Sequence, residues 1–162
     1  MTSRNDVIVS HASVAYIPWM ATDVRVELVV RRPRADVARF MFDPTNDAAW
    51  TTGIVACRPL TEGPLRRGSR VERTAKFLGK QFAYQYEVTD AGADRFVEMV
   101  VEQPFPMQIR YELADGSDGT LVSIHARGEA RGFFRIAAPL LNRMVRRNIR
   151  KDLELLRAKL AG

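Results

Sequence analysis

Cysteine is almost absent: Cys57 stands alone in 162 residues, which excludes an internal disulfide and any thiolate metal cluster. Histidine is nearly as scarce, with His11 and His125 only, so a structural zinc site has almost nothing to be built from. No metal and no cofactor is expected. No run approaches the ~18 consecutive apolar residues that a spanning helix needs. Gly-rich phosphate loops are missing, and no Ser, Asp and His set is placed by sequence for nucleophilic catalysis. The first residues lack a basic stretch followed by an apolar core and a cleavage site, so no signal peptide is read there. A reducing, cytoplasmic setting is the simplest expectation. Internal repeats and low-complexity tracts are also missing.

What is present suits one domain large enough to bury a core. The formal net charge is +6, and it sits in one place. Between Phe133 and Leu160 the basic residues are Arg135, Arg143, Arg146, Arg147, Arg150, Lys151, Arg157 and Lys159, against Asp152 and Glu154. The rest of the chain is balanced, so the excess belongs to one element.

Residues 1–22 read as an N-terminal extension with short apolar runs and no sustained period. Two readings stand: a start placed too early, with Met20 just before the first strong signal, or an extension that packs on the domain. From Asp23 to residue 162 the pattern is that of one domain. Val24, Val26, Leu28 and Val30 alternate with Arg25, Glu27, Val29 and Arg31, a half-buried strand. Pro33 ends it. Ala35 to Phe42 carries helical spacing, Asp43-Pro44 breaks it, and a second short helix capped by Asp43 or Thr45 runs to Trp50. Strands follow at 54–60, 70–78, 81–89, 95–102, 107–114 and 120–129, separated by turn residues at hairpin length, which predicts an antiparallel meander. The period then changes: Leu141, Val145, Asn148, Ile149, Asp152, Leu153, Leu156 and Leu160 describe a long amphipathic helix with Pro139 in its first turn and Phe133 to Ala138 as a lead-in.

Gly79-Lys80 reads as a two-residue type II′ loop, which pairs Leu78 with Gln81, Phe77 with Phe82, Ala75 with Tyr84, Arg73 with Tyr86 and Val71 with Val88. Those residues share one face, and Glu72, Thr74, Lys76, Gln81, Ala83, Gln85 and Glu87 share the other, solvent-facing one. Arg73 is therefore a cation on an otherwise apolar, aromatic face. It must be paired or wet. Tyr86 across the strand could stack on it, and Glu98 or Glu102 could neutralise it if the next strand turned them inward, although Val97, Met99 and Val101 make the better inner set. Arg73 then either snorkels to a rim or faces a polar group of a ligand.

The chain resembles the START-like superfamily (SRPBCC), which includes polyketide cyclases/dehydrases and lipid-transport proteins. Four stretches carry the resemblance. They are Asp43-Pro44-Thr45-Asn46-Asp47-Ala48-Ala49-Trp50; Gly68-Ser69-Arg70-Val71 with Phe77-Leu78-Gly79; Tyr86-Glu87-Val88-Thr89 with Pro104-Phe105-Pro106 and Gly119-Thr120; and Ala138-Pro139-Leu140-Leu141 leading to Asp152-Leu153 and Leu156. The resemblance implies an α+β helix-grip fold: a curved antiparallel sheet around a long C-terminal helix, with two short helices after the first strand. It also implies an internal cavity for a small hydrophobic ligand. It carries over no catalytic set, since the shared residues are mostly structural.

The expected cavity residues are Trp50, Val71, Arg73, Ala75, Phe77, Phe82, Tyr84, Tyr86, Met99, Phe105, Tyr111 and Met144. The first functional expectation is binding or transport of a lipid-, aromatic- or polyketide-like ligand. The alternative is a polyketide cyclase/dehydratase-type enzyme, with Arg73 holding an oxyanion and Tyr86 or Glu98 moving protons. His125, between Ile124 and Ala126 on an alternating strand, is read as outward-facing, and Cys57 as a small buried hydrophobe. Arg143, Arg146, Arg147 and Arg150 form a stripe that could touch an anionic membrane. Nucleic acid is not expected, because the aromatics belong to the core. The oligomeric state is not read from the sequence.

Overall fold

The computed structural model describes residues 21–77, 79–104, 106–129 and 138–161. Most of the extension read from residues 1–22 therefore lies outside the described residues, as do Leu78, Phe105 and the helical lead-in at 133–137. Strand β1 (Ala21–Val30) is followed by helix α1 (Arg34–Met41) and a 3-10 turn (Pro44–Asn46) running into helix α2 (Asp47–Trp50). Strands β2 (Ile54–Pro59), β3 (Arg70–Phe77), β4 (Lys80–Gly92), β5 (Phe96–Val101), β6 (Met107–Gly116) and β7 (Gly119–Glu129) come next, and helix α3 (Ala138–Leu160) closes the chain. The strands form one antiparallel sheet in the order β1-β7-β6-β5-β4-β3-β2. This is the helix-grip fold, a curved sheet holding the long terminal helix.

Local chemistry explains the element boundaries. Pro33 at φ −57 immediately precedes α1, where a missing N–H costs nothing. Asp43 caps the next turn, accepting from the Thr45 backbone N–H at 2.9 Å. The long connection from β1 to β2 carries α1 and α2 across the open side, because these two strands are the opposite edges of the sheet.

The first hairpin corrects the expected register. Phe77 pairs with Lys80, Ala75 with Phe82, Arg73 with Tyr84 and Val71 with Tyr86. With Phe77 paired to Lys80, Gly79, at φ +76, takes the second central position of the loop rather than the first. The displacement is two residues. A side-chain period of two makes such a slip invisible to the faces, so Val71, Arg73, Ala75, Tyr86 and Val88 are all buried as one inner set.

Val97, Met99 and Val101 of β5 also turn inward and are buried. They meet Val24, Val26, Leu113, Val122 and Ile124 from the neighbouring strands, with Val37 and Met41 of α1 and Leu153 and Leu156 of α3 closing over them. Removal of this apolar surface from water is the main stabilising term, at about 25 cal/mol per Å² buried. The packing is uneven along α3. Its C-terminal half is sealed into the core, whereas its N-terminal half stands off the sheet and bounds a cavity. Among the described residues, no helix is long and apolar enough to cross a membrane.

Candidate functional site

The cavity measures about 570 Å³ and lies between the concave sheet face and the first half of α3. Space of that size is far larger than the voids ordinary side-chain packing leaves. The β3–β4 hairpin contributes Ala75, Phe77, Phe82 and Tyr84 to the wall, and β5 to β7 contribute Val101, Met107, Ile109, Tyr111, Ile124 and Ala126. From α3 come Leu141, Met144, Val145 and Ile149. The polar members are few: Thr22, Thr51, Thr52, Arg73, Asn148 and Asp152, with Lys76, Arg147 and Lys151 where the wall meets solvent.

Arg73 is 3 % exposed and makes a buried ion pair with Asp47, the first residue of α2. Its Nε donates to Asp47 Oδ2 at 2.8 Å and its terminal nitrogen approaches the same oxygen at 2.7 Å. Tyr86 donates its hydroxyl to that oxygen at 3.3 Å, and the guanidinium lies over the Tyr86 ring, 4.5 Å from its centre. The guanidinium also donates to the Tyr111 hydroxyl at 3.5 Å. Burial is the largest influence and would pull the arginine pKa down, but Asp47 together with Tyr111, Tyr86 and Tyr84 outweighs it, and the guanidinium is held protonated more firmly than usual. Burial pushes the Tyr111 phenol up to about 12 and raises Tyr86 further still. Cys57 abuts the cluster, donating to the Pro44 carbonyl at 3.0 Å. Burial and Asp47 push its thiol up to about 12, which leaves it a poor nucleophile. Asp47 Oδ1 and Trp50 Nε1 are buried without a hydrogen-bond partner.

A second polar cluster closes the other side of the cavity. Asp152 of α3 accepts from the Thr52 backbone N–H at 2.6 Å and from the Thr52 hydroxyl, tying the helix to the turn between α2 and β2. Desolvation dominates at this carboxyl and pushes its pKa up from 3.8 to about 6, against the Thr52 bonds and Arg73, which favour ionisation.

Of the residues singled out from sequence, Arg73, Ala75, Phe77, Phe82, Tyr84, Tyr111 and Met144 meet around the cavity. Trp50, Val71, Tyr86 and Met99 do not line it. They are buried at the end of the sheet where α1, α2 and the second half of α3 fill the space completely. Phe105 lies outside the described residues. Glu98 is on the outer face, accepting from Gln108 at 2.7 Å and pairing with Arg110 at 3.2 Å, so it neither neutralises Arg73 nor reaches the cavity. Glu102 is exposed. His125 faces outward and meets Asp23 at 2.6 Å.

Arg73 does not snorkel to a rim: it lines the cavity and has an internal carboxylate partner, Asp47, that neither sequence reading named. Sequence reasoning missed Asp47 and Asp152 as site residues. The available signals were an acid three residues before an inward tryptophan, and an acid in phase with the apolar stripe of α3. Among the described residues no group of three His, Cys, Asp or Glu side chains is arranged to hold a metal ion.

A family model described as polyketide cyclase/dehydrase and lipid transport matches residues 21–161. No curated protein matches the chain in sequence. Among solved structures, a START superfamily protein from Mycobacterium smegmatis superposes with a TM-score of 0.74 at 14% identity, covering 86% of this chain and 97% of that one. The Zhui aromatase/cyclase from Streptomyces sp. R1128 gives a TM-score of 0.71 at 16% identity, with 87% and 94% covered. A protein from Thermus thermophilus gives 0.70 at 17% identity, with 86% and 97% covered. At these identities the structural likeness speaks for the fold.

Proposed function

The chain belongs to the polyketide cyclase/dehydrase and lipid-transport family, and from that premise we propose that its cavity binds and carries a small hydrophobic ligand of lipid, aromatic or polyketide type. One observation carries this reading. A space of about 570 Å³ with mostly apolar walls is kept open beside a core that is otherwise tightly packed. The volume lies within the ~300–1,000 Å³ typical of small-molecule sites. Apolar walls around such a volume gain little unless an apolar molecule fills them. Native mass spectrometry of protein purified from cells tests the reading, followed by titration with fluorescent apolar probes and a lipid panel. A co-purifying mass or saturable probe binding is expected. An empty protein that ignores every probe would overturn it.

An enzymatic use of the same cavity has one observation in its favour, the Asp152 carboxyl with its pKa near 6 on the wall. Such a group could exchange a proton near neutral pH. The Arg73, Tyr86 and Glu98 version has less support: Asp47 already compensates Arg73, Tyr86 is turned to Asp47, and Glu98 faces away. Carriage is the preferred reading. It accords with a cytoplasmic protein that touches membranes peripherally. Arg143, Arg146, Arg147 and Arg150 are exposed on α3, and Leu140 in its first turn is 53% exposed, a combination suited to an anionic lipid surface.

A further inference from the structure

The distribution of charge around the cavity names the ligand class more closely. Inside, Arg73 has its Nε and a terminal nitrogen committed to Asp47, and the pair is neutral as a unit. The other ionisable group on the inner wall is Asp152, also an acid. An anionic group pushed inward would therefore meet the Asp152 carboxyl and a cation already paired with Asp47. The mouth is the opposite. Three exposed cations line it, Lys76 of β3 and, on α3, Arg147 and Lys151, which stand one turn apart on the same edge of the helix. Neither of the two helix cations has a carboxylate partner among the described residues, whereas Arg25, Arg34, Arg39, Arg58 and Arg110 each have one within 3.4 Å. Met144 and Leu140 continue this edge toward the helix N-terminus, so the two cations border an apolar path into the cavity.

We infer that the ligand is an anionic amphiphile, with an apolar tail in the cavity and a carboxylate or phosphate head held outward by Arg147 and Lys151. This rests on the cavity being the ligand site, as proposed above. The arrangement keeps the head hydrated on one side while two donors reach it from the other, so neither partner bears the full penalty of burial. It also orients the cargo head-out, ready to pass to or from an anionic surface.

The experiment compares dodecanoate with dodecan-1-ol as competitors of a fluorescent apolar probe, in the full chain and in an Arg147→Gln/Lys151→Gln variant, at low and high salt. Dodecanoate should bind the unmodified protein about tenfold more tightly than the alcohol at low salt, as two partly exposed charge contacts allow. That preference should shrink in high salt and vanish in the variant, with alcohol affinity unchanged. Equal affinity of the two amphiphiles in the unmodified protein would overturn this inference alone. So would an acid preference that survives in the variant, which would place the head away from Arg147 and Lys151. Failure of both amphiphiles to displace the probe, or of the probe to bind, would overturn the inference together with the cavity reading on which it rests.

Discussion

Arg73 on β3 and Asp47 at the start of α2 are 26 residues apart in sequence and share one carboxylate oxygen, Oδ2, at 2.7 and 2.8 Å in the buried interior. The contact ties the connection carrying the short helices to the inner face of the sheet. It also gives the Arg73 guanidinium on the cavity wall a carboxylate partner. Nothing in the local pattern of either segment demands the other. The relationship exists because β2, lying beside β3, brings the start of α2 over Arg73.

Removing one member of that pair should be far worse than removing both. Asp47→Ala leaves a bare guanidinium in a dry site and should cost about 3–5 kcal/mol of stability. The double change Asp47→Leu with Arg73→Met should recover most of that loss, because two apolar residues of similar volume need no partner. Urea unfolding of the single and double variants measures both. An Asp47→Ala protein as stable as the parent would show that the pair has no structural role.

The same pair marks where sequence reasoning stops. Strand faces were legible because alternation survives error: the first hairpin is displaced by two residues from its expected pairing, yet Val71, Arg73, Ala75 and Tyr86 keep their shared face. The β5 trio and the outward Glu98 follow from that alternation as well. The terminal helix was legible from its period of three and four. What could not be read was which end of the inner face would be filled. Trp50, Val71 and Met99 are aromatic or aliphatic like Phe82 and Met144, and composition cannot separate them. The difference arises from α1 and the second half of α3 packing over one end only. Asp152 was visible as a helix-phase position, but its role depends on Thr52, which lies 100 residues away in sequence.

If the cavity is a ligand site, filling it should block binding without unfolding the chain. Ala75 projects from β3 into the wall, and Ala75→Phe would place a ring in open space. Affinity for an apolar fluorescent probe should fall about tenfold or more. Stability should change by less than ~1 kcal/mol, since no packed neighbour has to move far. Probe titration paired with thermal melting gives the answer. Undiminished probe affinity in a folded Ala75→Phe protein would place the binding elsewhere.

Peripheral membrane contact through α3 makes a separate claim about residues away from the cavity. Arg143 and Arg150 are exposed and outside its wall. Changing both to Gln should weaken retention on vesicles rich in phosphatidylserine, at about 1 kcal/mol per charge at low salt. Retention should fall steeply with ionic strength in the parent protein. Vesicle sedimentation across a salt series reads this, and retention that ignores salt would remove the electrostatic role of the helix.

Asp152 makes stability depend on pH in an unusual direction. Its carboxyl is raised from 3.8 to about 6 in the folded chain, so it keeps its proton over a range where the unfolded chain has already lost it. Folding is therefore favoured by protons at this site: the protein should lose stability as pH rises from about 4 to about 6, and the loss should level off above that window. The full shift corresponds to at most ~3 kcal/mol. Asp152→Asn retains an oxygen that can accept from the Thr52 N–H and cannot ionise, so it should lack this component. The two proteins should match at pH 4, and the variant should gain a relative advantage as pH increases through 6. Urea unfolding at a series of pH values measures the difference. Parallel stability curves across that window would mean that Asp152 ionises as freely in the folded chain as in the unfolded one, and that its tie to Thr52 offsets its burial.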